Sequence, residues 1–368
     1  MSHNNSPDRT LLGALGRFAN AILLLLFGLG YLSVFLPPEW FWWTGLPASL
    51  LPFLAAGVLI VAFIHFTTGT WGAFILHIVL VGLFVMRAGG LPFETFDAPP
   101  TDEDRPILTV MSYNYTPFER GQEVNDRLRN TLGDLATTYE PNLIAMQSIR
   151  VFQQRGETRF VDQLDTLATI GYYAAPEQNT APHLDTRVPL LRKSAPATHQ
   201  EPIVLEAQEG TDRHIMRSEL EWGGDTIVVY NVHLRSFERS HALHLIRAEE
   251  YGAGLLELLS IYRRDVLHRA REARELRRLL DAETKPLLVI GDLNATPFNW
   301  EYRHILGARN DAAAQLGGNW SFTWHTKFPV ARIDHVITSK HWQPVSLQVD
   351  STKISDHYPL IMELQRSE

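Results

Sequence analysis

The chain has 368 residues and a formal net charge of −8. That length allows more than one structural unit, and that charge argues against broad electrostatic capture of nucleic acid. Cysteine is absent, which excludes disulfides, thiolate metal sites and a cysteine nucleophile.

The N-terminal part is set apart by its lack of charge. Between Phe18 and Met86 the one Asp, Glu, Lys or Arg is Glu39, and Arg17 and Arg87 bracket the stretch. A membrane-crossing helix needs about 20 apolar residues. Phe18 to Pro38 fits one span, ended by Pro37-Pro38; Leu46 to Phe66 and Thr70 to Met86 fit two more, with a hairpin at Thr67-Thr68-Gly69. Trp40, Trp42 and Trp43 fall between the first two spans, where interfacial aromatics belong. The expected organisation is a tail over 1–16, three transmembrane helices over 17–88, a linker over 89–105 and an α/β domain over 106–368. Arg9 and Arg17 precede the first span with Asp8 as the only acid, which predicts a cytoplasmic N-terminus and a domain on the opposite side of the membrane.

Gly89-Gly90, Pro92, Pro99-Pro100 and the acids Asp97, Asp102, Glu103 and Asp104 read as an exposed linker that holds the following domain clear of the bilayer. Beyond it, strand-like and helix-like segments alternate. Ile107 to Tyr113 is β-rich and ends at Asn114. Leu128, Leu132 and Leu135 share a helical face. Leu143 to Met146, Thr226 to Leu234, Leu287 to Ile290, Ile333 to Thr338 and Pro359 to Leu364 read as strands, and Ala248 to Asp281 as a long helix. This mixture predicts one α/β domain with sheet layers at its core.

Polar residues at the strand ends carry the chemistry. Asn114 closes the first strand. His233 is polar within an apolar run, and its neighbour Asn231 adds to the suggestion of a site. Asp292 and Asn294 in Gly291-Asp292-Leu293-Asn294 are two apart, so an extended backbone turns both to one side. Asp334 starts a strand in Arg332-Ile333-Asp334-His335. Asp356-His357 follows, and an aspartate orienting a histidine is a hydrolytic arrangement. Oxygen ligands at such an edge suit a hard cation such as Mg²⁺.

In this order the motifs resemble the endonuclease/exonuclease/phosphatase superfamily of DNase-I-like, metal-dependent phosphodiesterases, over Pro106 to Glu368. Gly291-Asp292-Leu293-Asn294-Ala295-Thr296-Pro297 with Tyr302-Arg303 is the most specific segment. The three apolar spans look like those of a membrane-anchored bacterial branch, which implies an inner-membrane protein with its C-terminal domain outside the cytoplasm. The resemblance implies a four-layer α/β sandwich with two central β-sheets, and hydrolysis of a P–O bond by activated water with Mg²⁺ or Mn²⁺. It implies that His233 contacts phosphate, that Asp292 positions water, that Asn294 stabilises the transition state and that Asp334 orients His357. It further implies a metal held by Asn114, Asp356 and Asp292. The substrate is then a phosphodiester in nucleic acid, a phospholipid headgroup or a small molecule, and the bilayer is a second partner.

One departure stands out. The family's usual metal carboxylate is a Glu after Gln at the end of the second strand, and here Gln147 is followed by Ser148, a far weaker ligand. Either the ion is held without that acid, helped by one such as Glu119 or Glu157, or the domain is a catalytically inactive binding module. The family pattern is also degraded near Arg187 to Lys193. The arginines from Arg263 to Arg278 read as the solvated face of an amphipathic helix or as a surface for nucleic acid or anionic lipid. Trp320, Phe322 and Trp324 read as loop packing or a stacking platform.

Overall fold

A computed structural model describes residues 7–91, 100–115, 122–148, 152–154, 157–159, 162–173, 188–194, 199–205, 215–237, 246, 251–325 and 329–367. The N-terminal region is helical: α1 (Pro7–Leu32), α2 (Pro38–Phe41), α3 (Gly45–Ser49), α4 (Leu51–Thr67) and α5 (Trp71–Ala88). Helix α1 starts well ahead of Phe18, because Leu11, Leu12, Ala14 and Leu15 are good helix formers and extend the helix backwards. Pro37-Pro38 stops any continuation. Gly13–Phe35 and Trp71–Ala88 are long and apolar enough to cross a membrane. Pro38–Ser49 and Leu51–Thr67, bent by 60° at their junction, make a third crossing if taken as one broken span.

The rest of the chain supplies strands β1 (Ile107–Asn114), β2 (Leu143–Gln147), β3 (Phe152–Gln154), β4 (Glu157–Arg159), β5 (Tyr172–Tyr173), β6 (Leu190–Lys193), β7 (His199–Ile203) and β8 (Ile215–Trp222). They continue with β9 (Asp225–His233), β10 (Leu287–Asp292), β11 (Asn310–Asp311), β12 (Trp324–His325), β13 (Pro329–Ala331), β14 (Asp334–Thr338), β15 (Trp342–Val349) and β16 (Leu360–Arg366). The helices are α6 (Gln122–Tyr139), α7 (Asp162–Thr169), α8 (Tyr251–Ala282), α9 (Trp300–Leu306) and α10 (Ala312–Gln315). Two six-stranded sheets form, in the orders β15-β16-β1-β2-β6-β5 and β11-β14-β10-β9-β8-β7.

Strand alternation builds four layers. Leu108, Val110, Leu143 and Ala145 of the first sheet meet Ile227, Val229, Leu288, Ile290 and Val336 of the second in a shared core. Met111, Tyr113, Ile144 and Met146 point the other way, onto Leu132, Leu135 and Leu167 of α6 and α7. Val228, Tyr230, Val289 and Ile337 pack against Ala273, Leu276 and Leu280 of α8. This is the four-layer sandwich that the resemblance implies.

The linker does not hold the domain away from the helices. Asn319 Nδ2 donates to Ala88 O at 2.6 Å, and Trp320 packs on Phe84. Asn299 Nδ2 donates to Gly45 O at 3.0 Å, and Arg274 pairs with Glu39. Phe298 is buried with Phe27, Leu51, Ala55, Val58 and Phe84. An aromatic side chain in that apolar cluster contributes several kilocalories' worth of buried area, so the two regions make one body here rather than two beads on a string. Trp42 accordingly packs on Tyr262 of α8, while Trp40 stays exposed.

Candidate active site

The alternation that fills the inter-sheet core also aims the polar strand ends. Asn114 continues the inward parity of Leu108 and Val110, His233 that of Ile227 and Val229, and Asp292 that of Leu288 and Ile290. Register aligns them: Asp292 pairs with His233 on the parallel neighbour β9 and with Asp334 on the antiparallel neighbour β14. All four therefore meet at one rim of the sandwich, where apolar packing ends.

Gly291 makes the approach feasible. Its φ is +133°, and a Cβ there would lie 2.2 Å from Val232 O, so a side chain has neither the conformation nor the room. The next turn is also special: Asn294 has φ +48°, its backbone N–H donates to Asp292 Oδ1 at 2.7 Å, and its Nδ2 donates to Asp292 Oδ2 and Leu234 O. Asn is among the residues that tolerate this left-handed backbone best.

Asp292, Asp334 and His357 bring one ligand atom each within 4.8 Å of one another, and all three are buried. His357 Nδ1 donates to Asp334 Oδ2 at 2.7 Å. Its Nε2 lies 3.7 Å from Asp292 Oδ2 and 3.9 Å from Asp356 Oδ1. Asn114 Nδ2 donates to Asp292 Oδ2 at 2.7 Å and lies 3.4 Å from His357 Nε2. His233 Nε2 stands 3.7 Å from Asp292 Oδ2. All seven residues picked from the sequence thus converge within a few ångströms.

Burial is the largest influence on both key groups. It pushes the Asp292 carboxyl up to about 7, with Asp334 adding to the rise and His357 opposing it. It pulls His357 down, but Asp334 and Asp292 overrule it and hold the imidazole at about 9. Asp334 is also pushed up by burial, yet His357 and Thr323 bring it below the ordinary carboxylate value. At neutral pH the site holds an imidazolium beside one committed carboxylate and one carboxylate poised to titrate.

The donors suit a hard divalent ion. Asp356 Oδ1 and Asp334 Oδ1 are buried without a hydrogen-bond partner among the described residues, and carboxylate oxygens of this kind are the ligands such an ion prefers. Ser148 follows the last residue of β2 with φ +62°. Glu119 lies outside the described residues, as does the side chain of Glu157.

Three supports escape a reading of motifs. Ser355 Oγ donates to Asn114 O at 2.7 Å and accepts from His357 N. Thr323 Oγ1 accepts from the backbone N–H groups of Ile333 and Asp334, fixing the start of β14. Gln147 Nε2 donates to Asn231 Oδ1 at 2.8 Å, and Asn231 Nδ2 donates to Met146 O and Pro189 O, which ties the sheets together. Asn231 is therefore a cross-sheet brace, and its polarity beside His233 has a structural cause. Ser and Thr beside a catalytic acid are too common in loops to be singled out without coordinates.

Residues 163–357 match the model of the Endonuclease/Exonuclease/phosphatase family. No curated protein matches the sequence. Among solved structures, humanized D. rerio TDP2 is 15% identical, with a TM-score of 0.51 over 70% of this chain and 98% of that one. The human Nocturnin catalytic domain is 18% identical, with a TM-score of 0.47 over 72% of this chain and 96% of that one. Sphingomyelinase C from Streptomyces griseocarneus is 15% identical, with a TM-score of 0.47 over 71% of this chain and all (100%) of that one. At these identities the likeness is one of fold.

Proposed function

Because this chain belongs to the Endonuclease/Exonuclease/phosphatase family, which includes metal-dependent phosphodiesterases, we propose that it is a membrane-anchored phosphoric ester hydrolase that cleaves a phosphodiester with activated water. The observation that carries this is the contact of His357 with Asp334 on one side and Asp292 on the other, at the rim of two sheets.

Asp292, its carboxylate fixed by Asn294 and Asn114, orients the attacking water toward the phosphoryl group. His357, held near 9, stays protonated and presents Nε2–H to the phosphoryl group, while Asp334 fixes its ring and its charge. His233 presents its ring to the same group from the neighbouring strand. Asn294 holds both oxygens of Asp292 in place and adds dipolar support to the transition state. Asp356, Asn114 and Asp292 would hold Mg²⁺ or Mn²⁺, which supplies neutralisation of charge developing on phosphoryl oxygens and leaving group.

Ser148 favours a second reading, a binding module without turnover on the same fold. The full-length protein decides between them. Turnover of bis-p-nitrophenyl phosphate with Mn²⁺, abolished by chelator, supports the hydrolase. Inertness with Mg²⁺, Mn²⁺ and other divalent ions, with ligand binding retained, supports the module. We further propose that residues 17–88 are the membrane region, in a bacterial inner membrane, with the domain outside the cytoplasm. The seating of the domain on both the α2–α3 segment and the end of α5 supports a three-crossing path, which brings those two ends to one side.

A further inference from the structure

Helix α8 changes character along its length. Its C-terminal half buries Val266, Ala270, Ala273, Leu276 and Leu280. Its N-terminal half leaves Tyr251, Leu255, Leu256 and Leu259 bare, with Leu256 70% exposed. Single exposed apolar residues are ordinary, but four within nine positions of one helix form a patch, and patches mark contact surfaces.

The patch has a direction. Tyr262 packs on Trp42, and its hydroxyl sits where a Cβ on Gly45 would fall, at 2.7 Å. Leu259, Leu255 and Tyr251 precede Tyr262 by three, seven and eleven residues, so they share its helical face. The stripe that meets the α2–α3 segment at Tyr262 therefore runs on from it through Leu259, Leu255 and Tyr251, each exposed among the described residues. The segment it continues is itself lined with exposed apolar groups, namely Trp40 (80% exposed), Trp43 and Leu46. Arg263 and Arg264 flank the stripe as exposed cations. Apolar and aromatic residues edged by arginine, beside the ends of apolar helices, are the composition of a segment lying at a bilayer interface.

We infer that the N-terminal half of α8, through Tyr251, Leu255, Leu256 and Leu259, lies in the headgroup–acyl boundary of the leaflet that the domain faces. This rests on the membrane-anchored reading above. It makes the catalytic domain a second point of lipid contact, additional to the spans, and fixes the orientation of the sandwich on the membrane.

The absence of cysteine permits clean single-site labelling. Leu255→Cys, Leu259→Cys, Leu59→Cys and Arg278→Cys of the full-length protein are each labelled with a small fluorophore. They are placed in nanodiscs of zwitterionic and anionic phospholipid, and quenched either by brominated acyl chains or by aqueous iodide. Leu59 lies exposed on α4 and reports the bundle; Arg278 lies exposed near the far end of α8. The expected result is loss of fluorescence to brominated lipid at positions 255, 259 and 59, and to iodide at 278. Lipid quenching at 59 with iodide quenching at 255 and 259 overturns the inference and leaves the spans intact. Protection of 255 and 259 from both quenchers also overturns it, since a protein surface then covers the stripe. No lipid quenching at 59 overturns the membrane-anchored reading and the inference with it.

Discussion

Two buried clusters of charge sit side by side at the start of β14, built from neighbouring residues yet electrically opposite. In the first, Arg332 Nη1 lies 2.8 Å from Asp311 Oδ2, the Tyr302 hydroxyl donates to the same carboxylate, and His335 is close by. Burial pushes Asp311 up, but Arg332 and His335 overrule it and hold its carboxyl well below the ordinary range. Burial, the largest influence, lowers His335 from its ordinary value. In the second, Asp334 and Asp292 share His357. Burial is nearly complete in both. The difference is the cation: a guanidinium that cannot give up its proton locks one cluster, and an imidazole that can lose its proton leaves the other titratable. The first is suited to holding a fold and the second to moving protons.

The comparison can be broken at either cluster. The largest effect expected is on catalysis: Asp334→Asn lowers turnover by about 10²- to 10⁴-fold, the range for losing a group that sets a catalytic histidine, as read from kcat/KM. Arg332→Met leaves Asp311 as a stranded buried charge and costs about 3–5 kcal/mol, read from denaturant midpoints. Asp334→Asn costs less stability than Arg332→Met, because His357 can shed its proton once its partner is gone. Equal destabilisation by the two would erase the distinction.

The pH dependence of stability sharpens it further, measured with chelator so that the carboxylates are bare. Asp311 is depressed, so its contribution is complete above its ordinary 3.8 and fades as pH falls through its lowered value. Asp292 and His357 are both raised. Their contributions are complete below 3.8 and 6.5 and fade as pH rises through about 7 and about 9. The active cluster thus weakens the protein on the alkaline side and the locked cluster on the acid side. Asp292→Asn removes the first part of the alkaline loss and raises stability at pH 8 by on the order of 1 kcal/mol while reducing turnover, a trade of function for stability. A thermal-unfolding series across pH checks this. The smallest effect is at Ser148. Ser148→Glu adds a carboxylate and tightens Mn²⁺ half-saturation by on the order of ten-fold. An unchanged titration would show that Ser148 does not face the ion.

Much of this was legible in the sequence because strand periodicity and catalytic chemistry coincide. Asn114, Asp292 and Asp334 each interrupt an apolar run at its end, and a two-residue period sends them to the same side. Other elements left weaker traces. β7 contains Pro202, which a ladder tolerates at the sheet edge where β7 lies. β15 lies at an edge of the other sheet, with Ser346 and Gln348 exposed on alternate positions. The seating of the domain on the helices rests on Phe298, Asn299 and Asn319, ordinary turn residues in sequence whose partners Phe84, Gly45 and Ala88 lie more than two hundred positions away. No local pattern encodes such a pairing. Arg332, Asp311 and His335 were equally silent, since buried ion pairs have no periodicity of their own.

The claim on which the account depends is that His357, gripped by Asp334 and facing Asp292, drives phosphodiester cleavage. The direct measurement is turnover of bis-p-nitrophenyl phosphate by full-length wild type and His357→Ala at matched Mn²⁺ and matched folded fraction. The account predicts chelator-sensitive turnover in wild type that disappears in the variant. Equal rates in the two proteins, whether high or at background, would contradict it.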